Sequence, residues 1–202
     1  MDISKKKIII VGMGVQGSKR ANVANKDVFA TIDIDSKKAK FKDIEQIEDK
    51  NYGAVLLCTP DHLKYELLKK IIIKKKHVLV EKPLFVKNFN QLLELEKLAL
   101  ENNVLIYTAY NHRFEPHFIK IKKIIENQEI GEIYRLRMFY GNGTSGLVKN
   151  SPWRDKGQGV ILDIGSHLID TLIYWMNSDD IKTQKIQSFC FENLSPDHAI
   201  LS

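Results

Sequence analysis

The 202-residue sequence predicts an α/β protein. A Rossmann-type parallel sheet is followed by an α+β domain. Three observations carry this expectation. Up to about Tyr110, short β-branched runs alternate with amphipathic stretches of helical spacing. A glycine-rich turn follows the first of those runs directly. After Tyr110 the alternation gives way to a longer strand-like segment, a polar loop and an apolar helix.

Taken in order, "KKIIIVG" (6–12) is a continuous β-branched run of the kind buried on both faces of a parallel sheet. "SKRANVANK" reads as a helix, "VFATID" (28–33) as a second strand, and "FKDIEQIEDKNY" as a short helical region. "GAVLLCT" (53–59) is a third strand, closed by Pro60. "HLKYELLKKIIIKKK" is an amphipathic helix and "HVLVEK" a fourth strand. "FNQLLELEKLALENN" is a helix ending at Asn102 and Asn103, and "VLIYTAY" is the fifth strand. This grammar implies parallel βαβ units with right-handed crossovers. Further on, "PHFIKIKKIIENQ" reads as a helix and "GEIYRLRMFYG" as a long strand. "NGTSGLVKNSPWRDKGQG" is a polar loop, "GVILDIGSHLIDTLIYW" a helix, and "TQKIQSFCFEN" and "HAILS" are strands. The chain therefore divides into a first domain, 1–113, and a second, 114–202.

Composition excludes several classes. At 44% hydrophobic the chain can fill a core, and 28% charged residues of mixed sign do not describe a disordered segment. The net charge of +6 comes from lysines scattered over several helix ends, not from an arginine and aromatic stripe, so no nucleic-acid partner is expected. No apolar run approaches the ~18 residues of a membrane span. The N-terminal apolar run is short, broken by glycine and followed by no small-residue cleavage site, so no signal peptide is expected. The two cysteines, Cys58 and Cys190, share no metal or redox spacing, and a reduced, cytoplasmic setting is expected. His112 and His117 share no metal-ligand spacing with either, so no metal is expected.

Gly12, Met13, Gly14, Val15, Gln16 and Gly17 form G-x-G-x-x-G between a strand and a helix. The first glycine allows a tight turn, the second lets backbone approach a pyrophosphate, and the third lets helix pack on strand. The helix N-terminus then offers its N–H groups to the phosphates. Asp33 follows Gly12 at about the 20-residue spacing of a ribose-binding acid. A carboxylate there accepts from the ribose hydroxyls and repels a 2′-phosphate, which favours NAD over NADP. Asp35 competes for this role, and the lysines after it could attract a phosphate.

"LLCTPDHLKYELLKKIIIKKKHVLVEKPL", "YNHRFEP" (110–116) and "WRDKGQGVILDIGSHLID" (153–170) resemble, in order, signatures of the glucose–fructose oxidoreductase, inositol dehydrogenase and rhizopine-catabolism family, written Gfo/Idh/MocA. The resemblance covers nearly the whole chain. It departs in a short segment between the second and third strands and in Gln158, which stands in a loop that is often a glycine triplet. It implies a dehydrogenase acting on a hydroxyl of a sugar, nucleotide-sugar or cyclitol. It places Thr59, Pro60, His62, Glu81 and Lys82 with the glycine loop and Asp33 as cofactor contacts. By the same resemblance Lys82 would lie beside the nicotinamide, and Asp163 and His167 would form the acid/base pair. Arg113, Trp153 and Arg154 are expected pocket walls, where salt bridging and core filling are the competing roles. Tyr107 and Tyr110 read as core or strand residues.

The chemistry agrees with the residue types. Oxidising a secondary alcohol removes a hydride and a proton, and an imidazole titrating near pH ~6.5 suits the proton. Four residues apart on a helix, Asp163 would neighbour His167 and orient its ring, with Asp170 as a second candidate partner. Lys82 would steady a developing alkoxide. A non-catalytic NAD-binding module is the alternative. In the family the second domain is a larger, mostly antiparallel sheet with one face covered by helices and the other used for subunit contact, so the resemblance implies an incomplete α+β domain with a mostly antiparallel sheet here. The sequence stops as "HAILS" begins, so a fragment, or a chain needing a partner such as a second copy, is expected.

Overall fold

The computed structural model describes residues 7–84, 86–151, 154–178 and 180–202. It divides into two compact units, Met1–Ala109 and Tyr110–Ser202.

In the first unit, β1 (Ile8–Val11), β2 (Val28–Ile32), β3 (Ala54–Leu57), β4 (His77–Val80) and β5 (Ile106–Thr108) form one parallel sheet in the order β2-β1-β3-β4-β5. Helices α1 (Val15–Ala24), α2 (Asp61–Ile73) and α3 (Phe89–Glu101) connect them. The β-branched runs form strands because both faces are covered: Ile9, Ile10, Val55 and Val80 are fully buried. From α2, Leu68, Ile71 and Ile72 are fully buried in the same core. Each such side chain contributes roughly 1.5–3 kcal/mol by leaving water. Helix α3 starts where the Asn88 side chain accepts from Gln91 N at 3.1 Å. The helical region expected over 41–52 is two 3₁₀ turns, Ile44–Gln46 and Asp49–Asn51, the first capped by Asp43. After β1 the chain crosses to β2 on one side, and after β2 it returns to β3 on the other. The crevice at the carboxyl ends of β1 and β3 is therefore the topological switch point, where open α/β sheets bind ligands.

The second unit contains α4 (Pro116–Glu126), α5 (Ser145–Lys149), α6 (Ser166–Met176) and the antiparallel pair β6 (Ile186–Phe189) and β7 (His198–Leu201). Pro116 opens α4, where its missing N–H costs nothing. The unit is tied by Trp175 Nε1 donating to Phe118 O at 3.1 Å and by Lys122 Nζ donating to Tyr174 O at 2.8 Å.

Three expectations are corrected here. The segment 131–141, read as a long strand, pairs with no strand among the described residues. Alternation alone does not make a strand, which forms only against a partner. Here Tyr134 is 97% and Phe139 is 89% exposed, so neither face of the segment covers a core. The loop expected over 142–159 contains the short helix α5. The helix expected over 159–175 begins instead as a π turn, Ile161–Gly165, that runs into α6.

Candidate dinucleotide cradle and acid/base cluster

The glycine loop follows β1 at the switch point. Gly12 has φ +91°, and a Cβ there would lie 2.7 Å from Cys58 O. A Cβ on Gly17 would lie 1.9 Å from Gly12 O, so helix and turn touch through bare backbone. At Gly14 a Cβ would meet nothing within 4 Å. The middle glycine thus faces open space, and the outer two are packed against protein. Helix α1 begins with no side-chain cap and no acid in its first turn, leaving its N–H groups to an anion.

Asp33 sits at the end of β2 and reaches back to this loop. Its Oδ2 accepts from Met13 N at 2.7 Å and its Oδ1 from Asp35 N at 2.9 Å. Each carboxylate oxygen retains a second lone pair for a ribose hydroxyl. The competing Asp35 is engaged elsewhere: it accepts from Lys37 N at 2.9 Å and lies 3.8 Å from Lys38 Nζ. Thr59, after β3, has a buried hydroxyl with no hydrogen-bond partner among the described residues. Its backbone N would lie 3.1 Å from a Cβ on Gly12. The open space at Gly14, the uncapped helix start and this orphan hydroxyl together fit a dinucleotide.

Pro60 precedes α2, and His62 is exposed in that helix's first turn. Glu81 and Lys82 follow β4, and the Lys82–Pro83 peptide is cis. The Glu81 carboxylate pairs with Arg20 of α1, at 2.8 Å to Nε and 2.7 Å to Nη2. Its side chain thus ties α1 to the end of β4, a role the sequence reading did not foresee. Lys64 of α2 was missed altogether. It is 1% exposed, and its Nζ donates to Asp61 Oδ1, Glu81 O and Pro83 O at 2.7, 2.6 and 2.7 Å. A lysine inside an amphipathic helix carries no sequence signal of burial.

In the second unit, His167 lies in the first turn of α6 and is 9% exposed. Three rings surround its imidazole: Tyr110 at 5.8 Å, His112 at 4.7 Å and Tyr140 at 6.1 Å between centroids. His112 stacks on Phe118 at 4.8 Å, and its Nδ1 lies 2.7 Å from Glu115 Oε1. Burial, reinforced by the Asp170 carboxylate, pushes the Tyr110 phenol up. Tyr110, expected as a core or strand residue, is thus part of the His167 surroundings. The density of rings and polar groups in "YNHRFEP" was the available signal.

Asp163 falls in the π turn, and its Oδ2 accepts from Arg154 Nη2 at 2.9 Å. The structure so joins a predicted acid/base residue to a predicted wall residue. Asp170, the second candidate partner of His167, is 7% exposed and forms a forked pair with Arg113, 2.7 Å at Nη2 and 2.9 Å at Nε. Arg113 is thereby held by a buried carboxylate. Trp153 lies outside the described residues. Among the described residues no group of His, Cys, Asp or Glu could hold a metal ion, and no helix is long and apolar enough to cross a membrane.

Comparison with known proteins now bears on this geometry. A family model described as an oxidoreductase family with an NAD-binding Rossmann fold matches residues 6–110. A model of the GFO/IDH/MocA C-terminal domain matches residues 118–189. The chain is 38% identical over 140 residues to the myo-inositol 2-dehydrogenase of Thermotoga maritima, covering 67% of this chain and 39% of that protein. It is 25% identical over 195 residues to the glucose-6-phosphate 3-dehydrogenase of Bacillus subtilis, covering 87% of this chain and 55% of that protein. A solved NAD-binding protein from Listeria innocua matches with a TM-score of 0.73 and 27% identity, over 91% of this chain and 58% of that one. The chain thus spans about half or less of the length of these curated relatives.

Proposed function

The chain belongs to the GFO/IDH/MocA family of NAD-binding oxidoreductases, and from that premise we propose that it oxidises a secondary hydroxyl of a sugar, nucleotide-sugar or cyclitol. The observation that carries the reading is the open cradle at Gly14, bordered by the Asp33 carboxylate on Met13 N and by the orphan Thr59 hydroxyl. In this reading the amides of Gly12–Gly17 and the start of α1 hold the pyrophosphate. Asp33 holds the adenosine ribose and selects NAD over NADP, because its carboxylate would oppose a 2′-phosphate. Thr59, Pro60, His62, Glu81 and Lys82 border the nicotinamide half. When bound, NAD supplies the hydride acceptor.

The remaining chemistry falls to side chains. His167 takes the hydroxyl proton, and its nest of rings keeps bulk water from the imidazole. Asp163, fixed by Arg154, stabilises the imidazolium. The Lys82 ammonium steadies the alkoxide. Arg113 and Trp153 are the proposed walls, with Arg113 set by Asp170. Two free cysteines support a reduced, cytoplasmic setting. Phe189 at the end of β6 and Phe191 just beyond it, stacked at 5.9 Å and both exposed, support a homo-oligomer through this face.

The test is NADH formation, followed by absorbance, with NAD and a panel of cyclitols, hexoses, hexose phosphates and UDP-sugars. Turnover of at least one member is expected. NAD binding by calorimetry with no turnover across the panel would favour the non-catalytic module, and no NAD binding would overturn the reading.

A further inference from the structure

Lys64 is a buried charge that the mechanism above does not use. An ammonium has three N–H donors, and Lys64 has three acceptors: Asp61 Oδ1, Glu81 O and Pro83 O, all within 2.7 Å. A neutral amine, with two N–H groups, would leave one acceptor without a donor, so the geometry calls for the charged form. Burial pulls the Lys64 ammonium down, Asp61 and Glu81 oppose that, and the Lys82 charge adds to it. Burying an ammonium is costly, and an apolar side chain of similar volume would fill the same space more cheaply. What an apolar side chain cannot do is hold two carbonyl oxygens of the chain just beyond β4. Those carbonyls belong to the residues immediately before and after Lys82.

We propose that Lys64 is a positioning residue for Lys82, its ammonium fixing the course of the backbone on both sides of that lysine. Arg20 completes the clamp by holding the Glu81 side chain to α1. The inference rests on the reading of Lys82 as a catalytic lysine, and its primary test does not need activity. In Lys64→Met, whose fold is checked by a cooperative melt, the rate of Lys82 modification by trinitrobenzenesulfonate is read by peptide mass spectrometry. A severalfold change is expected, with NAD affinity held within a few fold. Asp61→Asn removes a nearby charge and leaves both carbonyl bonds, so its Lys82 rate should stay near wild type. With a panel substrate, Lys64→Met should lower kcat about 100-fold at little changed KM, the scale of a misplacement of about 1 Å. If Lys64→Met does not fold, Lys64→Gln, which keeps two N–H donors, decides by the same labelling. An unchanged Lys82 rate in a folded variant, or an equal change in Asp61→Asn, overturns the proposal. Wild-type turnover in Lys82→Met would instead remove the catalytic reading and leave the labelling result standing.

Discussion

The two units bury their apolar side chains very differently. Among the described residues, the buried apolar side chains lie between Ile9 and Ala109, with Ile164 the single exception. The second unit leaves several large apolar side chains exposed, Phe139, Phe191 and Leu194 at 89%, 74% and 89%, and the rest mostly half-buried. What order it has at His167 comes from rings and ion pairs, namely His112, Tyr110, Tyr140, Arg113–Asp170 and Arg154–Asp163. The first unit is thus a scaffold with its own core, and its candidate site is mostly backbone. The second holds its candidate acid/base side chains by polar and aromatic contacts, which depend more on the identity of each partner.

If the units divide the work in this way, a substitution in one should leave the other's task intact. The largest effect is expected from His167→Asn. Turnover should fall by roughly 100 to 10,000-fold, while the NAD dissociation constant by calorimetry stays within a few fold. Loss of NAD binding in that variant would break the division.

Next in size is a cavity in the scaffold. Leu68 is fully buried in the first core, and Leu68→Ala should destabilise it by about 2–5 kcal/mol in urea unfolding. Tyr134→Ser, at a position 97% exposed in the second unit, should stay within about 0.5 kcal/mol of wild type. Equal costs at the two positions would show that the second unit also relies on apolar burial.

A smaller effect concerns cofactor choice. Asp33→Asn keeps an acceptor for Met13 N and removes the charge. The NAD to NADP affinity ratio should drop about tenfold, the size expected for one unfavourable charge contact of ~1.4 kcal/mol. An unchanged ratio would assign the discrimination elsewhere, with Lys37 and Lys38 the nearest basic side chains after Asp35 in the chain.

The smallest effect compares the two thiols. Burial pushes the Cys58 thiol from 9.0 up to about 12, with Glu81 adding and Arg20 opposing. Cys190 is exposed. Iodoacetamide at pH 8 should therefore label Cys190 at least ~10-fold faster. The sign for stability follows from proton linkage. A thiol raised on folding binds more protons in the folded state, so its contribution is intact below pH 9.0 and is lost as pH rises toward about 12. Cys58→Ala should flatten part of the alkaline fall in melting temperature. A steeper fall would show that the sign is wrong.

The sequence by itself determined the parallel sheet and its ligand crevice. Runs such as "KKIIIVG" and "GAVLLCT" can be buried only with both faces covered, and β1 and β3 formed where those runs predicted. The glycine loop was legible for the same reason: Gly12 and Gly17 answer to steric demands of their own backbone, and Asp33 to a fixed spacing from it. Other features depend on distant partners and were decided by tertiary structure. The segment 131–141 has the alternation of a strand but no ladder, because pairing is supplied by another segment and not by pattern. Asp163 was placed four residues from His167 by counting on an α-helix, and the π turn together with Arg154 set where its carboxylate is held. Lys64 reads as one more solvated lysine in "HLKYELLKK". It became the buried tether of the Lys82 segment only because the chain just beyond β4 brings two carbonyl oxygens, of Glu81 and Pro83, within its reach, a coincidence in space that no local pattern encodes.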